Sequence, residues 1–314
     1  MNDTRKRRPT LQDIADLTGV TKMTVSRYLR DPSAVAEGTR ERIAAAVEEL
    51  GYIPNRAPDM LSNATSKAIG ILIPSLSNQV FSAVIHGIEA VTRPAGYQTL
   101  LAHYGYSPER EEEQVASLLS YNVDGLILSD TQHTERTRKM IATAGIPVVE
   151  TMDLPLSPID MVVGMDHRAA ARAMVTEMLR RGRRKVVYLG ARLDVRTQLR
   201  MEGYYQAMAD FGLNGQHLLT EQSSSFTLGG ELLEQAMARY PDLDGLFCTN
   251  DDVAVGALLQ CQAKWIPVPQ QIAIAGCNAL DIGHAMTPKL ASISTPREAI
   301  GREAAAMLLA RLNG

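Results

Sequence analysis

Lys22, Met23, Ser26 and Arg27 place two cations, one flexible apolar side chain and one hydroxyl within a six-residue stretch. Such a set can grip phosphate, read base edges or simply face water, and the elements that position it decide which. The surrounding residues 10–30 are TLQDIADLTGVTKMTVSRYLR. Thr10 with Asp13 three positions on is a helix-start signal, because the hydroxyl accepts an orphan backbone N–H. Leu11, Ile14 and Ala15 recur at helical spacing, and Gly19 ends that helix as a left-handed cap. Thr21 can cap a second helix, whose Val25 and Leu29 point inward at i, i+4. The four side chains are then left around its start, facing away from the core. This is the helix-turn-helix layout, in which the second helix offers its N-terminal side chains to the major groove. A small helical hairpin with a polar face inside an enzyme fits the same pattern.

Further along, Asp31-Pro32-Ser33 marks a turn. Residues 39–50 predict a third helix with Ile43, Ala46, Val47 and Leu50 as its apolar stripe and Gly51 at its end. Residues 52–70, YIPNRAPDMLSNATSKAIG, are rich in Pro, Asn and Ser and form the natural boundary. The expected organisation is a headpiece over 1–54, a hinge over 55–68 and a larger domain over 69–314. Within the hinge, residues 58–61 could make one helical turn, with Pro58 tolerated at its first position. So short a helix holds only when packed on something; a plain flexible linker is the other reading.

From residue 69 onward, apolar runs alternate with amphipathic helices. Strands are predicted at 69–73, 99–102, 125–128, 148–151, 186–190, 245–249 and 272–276. Helices are predicted at 79–91, 109–121, 134–144, 169–181, 196–211, 228–239 and 253–262. Continuous apolar strands suit parallel sheets buried on both faces, hence a doubly wound α/β architecture. A break around 153–160 (DLPLSPID) favours two similar lobes over one large sheet. Ligands of such folds bind at the carboxyl ends of the strands, here in the cleft between lobes.

The net charge of −3 hides an asymmetry: residues 1–30 hold seven Lys/Arg against three Asp/Glu, residues 68–314 hold 21 against 26. A basic head on an acidic body suits a protein that touches phosphate with one end, although a solvated basic tail gives the same count. No apolar run is long enough to span a membrane, and the basic start is followed by no apolar signal segment. The three cysteines, Cys248, Cys261 and Cys277, are far apart and odd in number. They suit packing in a reducing cytoplasm rather than disulfides or a metal cluster. Phosphate-cradling loops, nucleophile elbows and zinc-helix motifs are missing from useful places. The six histidines are scattered without ligand spacing. No enzyme, cofactor or metal is expected.

Two sets of residues carry a resemblance to a known family. TLQDIADLTGVTKMTVSRYLR and GYIPNRAPDMLS resemble the headpiece and hinge of the LacI (lactose/galactose repressor) family. Farther on, Arg200-Met-Glu-Gly203-Tyr204, DGLFCTNDDVAVGAL at 244–258 and VPQQIAIAG at 268–276 resemble its core. The likeness runs from about residue 10 to the end. Within the family, VTKMTVSR, PSLSNQVF, YQTLLAHYGY, YLGARLDVRT, EQSSS and FCTNDD are most similar to the branch that answers to gluconate. The fold implied is a small all-α helix-turn-helix headpiece plus a two-lobed, periplasmic-binding-protein-like α/β core with parallel sheets. The function implied is a cytoplasmic transcriptional repressor, a homodimer on double-stranded, pseudo-palindromic operator DNA, released by a sugar acid such as gluconate. A regulator tuned to another sugar or sugar acid is the alternative. A transporter's solute-binding protein would share the two lobes but lack the headpiece.

On that resemblance Lys22, Met23 and Arg27 would contact base edges. Arginine can hold guanine O6/N7 through two parallel hydrogen bonds, while methionine offers only apolar contact. Thr10, Thr21, Ser26 and Asn55 would bond phosphate, although Thr10 and Thr21 could serve as caps alone. Leu61 occupies the position of the family's minor-groove wedge, and Pro58 replaces the family's usual small helix-former. The matching effector-site positions are Ser75, Phe81, Arg200, Asn250, Asn278 and Thr295, with Arg196 a weaker candidate. Asn278 stands where many sugar-binding relatives carry Asp, which lessens repulsion of an anion. An arginine in a concave site holds a carboxylate bidentately. Phe81 fits the core equally well, and Asp251 fits a helix cap better than the pocket. Trp265 replaces a usual helix-ending glycine, and the chain stops at Gly314, short of the family's usual final strand.

Overall fold

The computed structural model describes residues 7–55 and 65–314. The chain divides into two compact units, Met1–Ser66 and Lys67–Gly314. The hinge turn expected around Pro58 and Leu61 lies outside the described residues.

The first unit contains α1 (Leu11–Thr18), α2 (Lys22–Arg30), a 3-10 turn over Pro32–Ala34 and α3 (Glu37–Leu50). Thr10 and Asp13 form a reciprocal capping box, and Gly19 closes α1 at φ +67°. Thr21 Oγ1 accepts from Thr24 N and so caps α2. Helix α3 begins two residues earlier than its apolar stripe suggests and ends at Gly51, φ +57°. Ile14, Ala15, Val25, Ile43 and Ala46 form a very small core, flanked by Leu11, Leu29, Val47, Leu50 and Tyr52. So little buried area leaves the unit marginal, and each cap carries a noticeable share of its stability.

The second unit is two α/β lobes. The first has β1 (Ala68–Ile73), α4 (Gln79–Thr92), β2 (Gln98–His103), α5 (Pro108–Ser120), β3 (Gly125–Leu128), α6 (Glu135–Ala144), β4 (Val148–Met152) and β5 (Met161–Gly164). The second has α7 (His167–Arg180), β6 (Val186–Ala191), α8 (Val195–Asp210), β7 (Gln216–Thr220), α9 (Phe226–Arg239), β8 (Gly245–Cys248), α10 (Asp251–Ala263), β9 (Ala273–Asn278), α11 (Asp281–Ala285) and β10 (Ala291–Ser294). The sheets run β2-β1-β3-β4-β5 and β10-β9-β8-β6-β7, every pairing parallel.

Central strands such as AIGILI and VVYLGA are buried along their whole length. The strands that apolar runs did not announce, β5, β7 and β10, are edge strands, half-buried or partly exposed. The break at 153–160 is not the lobe boundary: the chain adds β5 to the first sheet and crosses only between Gly164 and His167. After β10 it crosses back, and α12 (Arg297–Asn313) packs on α4 in the first lobe. The two helices touch backbone to backbone: a Cβ on Gly87 would lie 2.2 Å from Glu298 O, and one on Gly301 2.1 Å from Val84 O. Ile300, Ala304, Ala305 and Leu308 thereby enter the same core cluster as Ile71, Val84 and Ile88.

Elsewhere in the first lobe, one buried histidine is held between two carboxylates. His133 Nδ1 lies 2.9 Å from Glu111 Oε1 and its Nε2 lies 3.3 Å from Glu150 Oε1, and the imidazole is fully buried. Burial opposes charging it, but the hydrogen bonds and charges of Glu111 and Glu150 outweigh burial and raise it to about 9. Burial also raises the Glu111 carboxyl.

Candidate functional site

The exposed face of α2 carries Lys22, Met23 and Arg27, with Ser26 half-buried beside them. Met23 is 75% exposed although it is a large apolar side chain. Thr10 lies in the open groove between the start of α1 and the segment after α3, together with Arg7, Arg8, Lys22 and Asn55. The groove therefore gathers three cations, a hydroxyl and an amide on one side of a small helical unit. Its Thr10 is also committed to the cap: Oγ1 donates to Asp13 Oδ2 at 2.7 Å. The bonds from Thr10 hold the Asp13 carboxyl below its ordinary value. Cap bonds orient both threonines, and a hydroxyl's remaining lone pair or proton still permits a contact to phosphate.

The other site is the cleft between the lobes. Its wall is formed where strands end, as doubly wound sheets dictate. From the first lobe come Asn78, Phe81, Tyr106 and Met152; from the second come Arg192, Asp194, Arg196, Thr197, Arg200, Ser224, Thr249, Asn250 and Asn278. Three long helices begin at this wall, α4 after Asn78, α8 after Asp194 and α10 after Asn250, each capped by that residue's side chain. Their N-termini direct positive partial charge at the cleft. Side chains fill it closely, leaving a cavity of about 30 Å³.

The sequence candidates separate into two shells here. Phe81, Arg200, Asn250 and Asn278 line the cavity, and Phe81 belongs to the first lobe's core as well. Ser75 stands behind Asn78 and accepts from the Ser77 and Asn78 backbone N–H groups. Thr295 is buried behind Asn278 and donates to its Oδ1 at 3.3 Å. Asp251 also faces away, accepting from Leu280 N and Ser292 Oγ, both at 2.6 Å.

The two arginines on α8 differ. Arg196 joins the lobes: it pairs with Asp153 at 2.8 Å and donates to Ser129 O at 2.5 Å. Burial would raise the Asp153 carboxyl, yet Arg196 and the His167 bond hold it at about 2. Arg200 donates to Thr249 O at 2.5 Å and to His167 Nδ1 at 3.2 Å. Burial and the Arg200 charge keep His167 below its ordinary value. As a neutral ring it accepts at Nδ1 and donates from Nε2 to Met152 O. Arg200 Nε is buried without a hydrogen-bond partner.

Sequence reasoning passed over Asn78, Tyr106, Arg192, Asp194 and Ser224. For Arg192 a signal existed: arginines at 192, 196 and 200 recur every four residues, the first in the loop before α8 and the other two on that helix. Tyr106 and Ser224 sit in loops brought to the cleft by the fold, and nothing local marks them. Trp265, by contrast, ends α10 as expected of a glycine position, at φ +56° and 92% exposed. Among the described residues no cluster of His, Cys, Asp and Glu could hold a metal ion, and no helix is long and apolar enough to cross a membrane.

These two sites coincide with two family matches. Residues 10–55 match the bacterial regulatory proteins of the lacI family. Residues 66–313 match the periplasmic binding proteins and sugar binding domain of the LacI family. The chain is 58% identical to the HTH-type transcriptional regulator GntR of Escherichia coli K12 over 310 residues, covering 99% of this chain and 94% of that protein. It is 53% identical to the HTH-type transcriptional regulator IdnR of the same strain, covering 98% and 93%. Among solved structures, a LacI-family transcriptional regulator from Silicibacter pomeroyi superimposes with a TM-score of 0.91 at 36% identity, over 97% of this chain and 92% of that one. With both matches covering the headpiece and the core, the chain belongs to the LacI family and is a DNA-binding transcriptional regulator rather than an enzyme.

Proposed function

We propose that the protein is a cytoplasmic repressor, dimeric on a pseudo-palindromic operator, which a sugar acid such as gluconate releases from DNA. The observation that carries the ligand class is the cleft's electrostatics. The amide-capped N-termini of α4 and α10 and Arg200 converge on it, α8 is capped by the Asp194 carboxylate, and Asn278 contributes an uncharged amide to the wall. A carboxylate is favoured there and a neutral sugar gains much less. The hydroxyls of a sugar acid find partners in Asn78, Thr197, Ser224 and Asn250 along the same wall.

In the headpiece, Lys22, Met23 and Arg27 read base edges, and Thr10, Thr21, Ser26 and Asn55 hold phosphate. Release follows from population shift: a ligand that binds one arrangement of the lobes better draws the protein into it. A coupling of about 1–3 kcal/mol per site is usual, enough in a dimer to lower operator affinity by orders of magnitude.

Thermal shift of the full-length protein with a panel of sugars and sugar acids tests this reading, because a ligand of the folded state raises the midpoint. A rise with gluconate and none with glucose is the expected result. A rise with neutral sugars alone would leave a LacI-family regulator and remove the sugar acid.

A further inference from the structure

We propose that Arg192 is the anion-selecting clasp of this cleft, and that it closes by stacking on Tyr106 across the two lobes. The proposal rests on the sugar-acid reading above and adds a residue and a motion to it.

Arg192 follows β6 in the second lobe; Tyr106 follows β2 in the first. The guanidinium carbon lies 4.0 Å from the centroid of the tyrosine ring, within cation–π range. Both ends are fixed. Tyr106 OH accepts from Asn78 Nδ2 at 3.3 Å, and the Arg192 backbone N–H donates to Gln222 O at 2.9 Å. Both residues hold left-handed backbone, φ +62° for Tyr106 and +68° for Arg192. Non-glycine residues stay there only where their surroundings dictate it, and such positions gather at ligand clamps.

The cation balance of the wall singles out the same residue. Arg196 is neutralised by Asp153. Asp194 keeps its charge, acting on Arg196, and its Oδ1 accepts from the Thr197 N–H at 2.8 Å. Arg192 and Arg200 are the two lining arginines that each keep a buried Nε–H without an acceptor. A buried donor left unpaired is costly, and an oxyanion between them would satisfy both. Asp252 also feels the Arg192 charge, so the clasp is not an isolated cation; its spare donor is what distinguishes it.

The remaining cavity, about 30 Å³, has roughly the volume of one water molecule. A six-carbon acid enters only if the walls part, and the Arg192–Tyr106 stack lies across that parting. The same pair thus gates entry and, once closed, sets its cation against the acid group. The chemistry recognised is an oxyanion beside hydroxyls, whether a carboxylate or a phosphate on a sugar.

Isothermal titration of the full-length protein with gluconate, glucose and glucose 6-phosphate tests the clasp, using wild type, R192Q, R192K and Y106L. Wild type should prefer gluconate to glucose, and R192Q should lose about tenfold or more in gluconate affinity and with it most of that preference. R192K should recover part of the preference, since it restores charge without the planar donor. Y106L should weaken gluconate binding while preserving the preference for the anion. Glucose 6-phosphate binding that is strong in wild type and lost in R192Q would keep the clasp and move the acid from carboxylate to phosphate. Equal gluconate affinity in wild type and R192Q would overturn the clasp while leaving the sugar-acid reading intact. No preference for either anion in wild type would instead overturn that reading, and the clasp with it.

Discussion

On α2, Met23 is 75% exposed and Lys22 and Arg27 are exposed beside it, whereas in the cleft Arg196 and Arg200 are only 9% and 5% exposed and already bonded to protein. The face proposed to read DNA is a set of side chains awaiting a partner. The cleft is a set of side chains that hold one another and must exchange partners to take a ligand. Substitution on the first surface therefore removes a contact and little else. Substitution in the second changes the protein itself before any ligand arrives.

The largest effect should come where that contrast is sharpest. Arg196→Ala leaves the buried Asp153 carboxylate without its cation and with only the His167 ring beside it, and loss of one partner of a buried pair costs about 3–5 kcal/mol. Calorimetry should show the second unit melting much earlier; an unchanged midpoint would mean that the pair is a bystander. Arg27→Ala should weaken operator binding by about 1–3 kcal/mol and relax specificity at one base pair. Its melting curve and its sugar-acid affinity should match wild type. If Arg27→Ala instead unfolds the headpiece, the face is structural and the contrast fails. Thr10→Ala removes the cap shared with Asp13 and should cost the headpiece about 1 kcal/mol, visible as faster amide exchange in α1 alone.

Another effect in the second unit depends on pH. His133 is raised from its ordinary 6.5 to about 9 in the folded state, so the folded chain binds more protons than the unfolded one between those values. Its stabilisation is complete below about 6.5 and is lost as pH rises through about 9. The midpoint of the second unit should fall across that interval, and His133→Gln should flatten the slope. A slope unchanged in that variant would assign the effect elsewhere.

The same contrast governs how much of the molecule can be read in its sequence. The headpiece is built of local signals: Thr10, Asp13, Gly19, Thr21 and Gly51 all act within a turn or two of themselves. Central strands announce themselves as apolar runs, but β7 (QHLLT) and β10 (ASIS) do not, because an edge strand is buried on fewer sides. The pair Arg192–Tyr106 and the chain Asp153–His167–Arg200 depend on loops far apart in sequence. An arginine's type and spacing show that it can bind an anion; only the fold shows that Arg196 already has one.

The contact between Gly87 and Gly301 has a consequence for how the protein is made. The first lobe's core includes residues from α12, the final helix of the chain. During synthesis the headpiece has everything it needs early, and β6 to β10 can assemble the second lobe as they emerge. The first lobe, although begun sooner, stays open along α4 until residues 297–313 arrive. Until then the face of α4 around Gly87 is uncovered, so a chain cut short before Arg297 joins a DNA-binding headpiece to a first lobe with an open core.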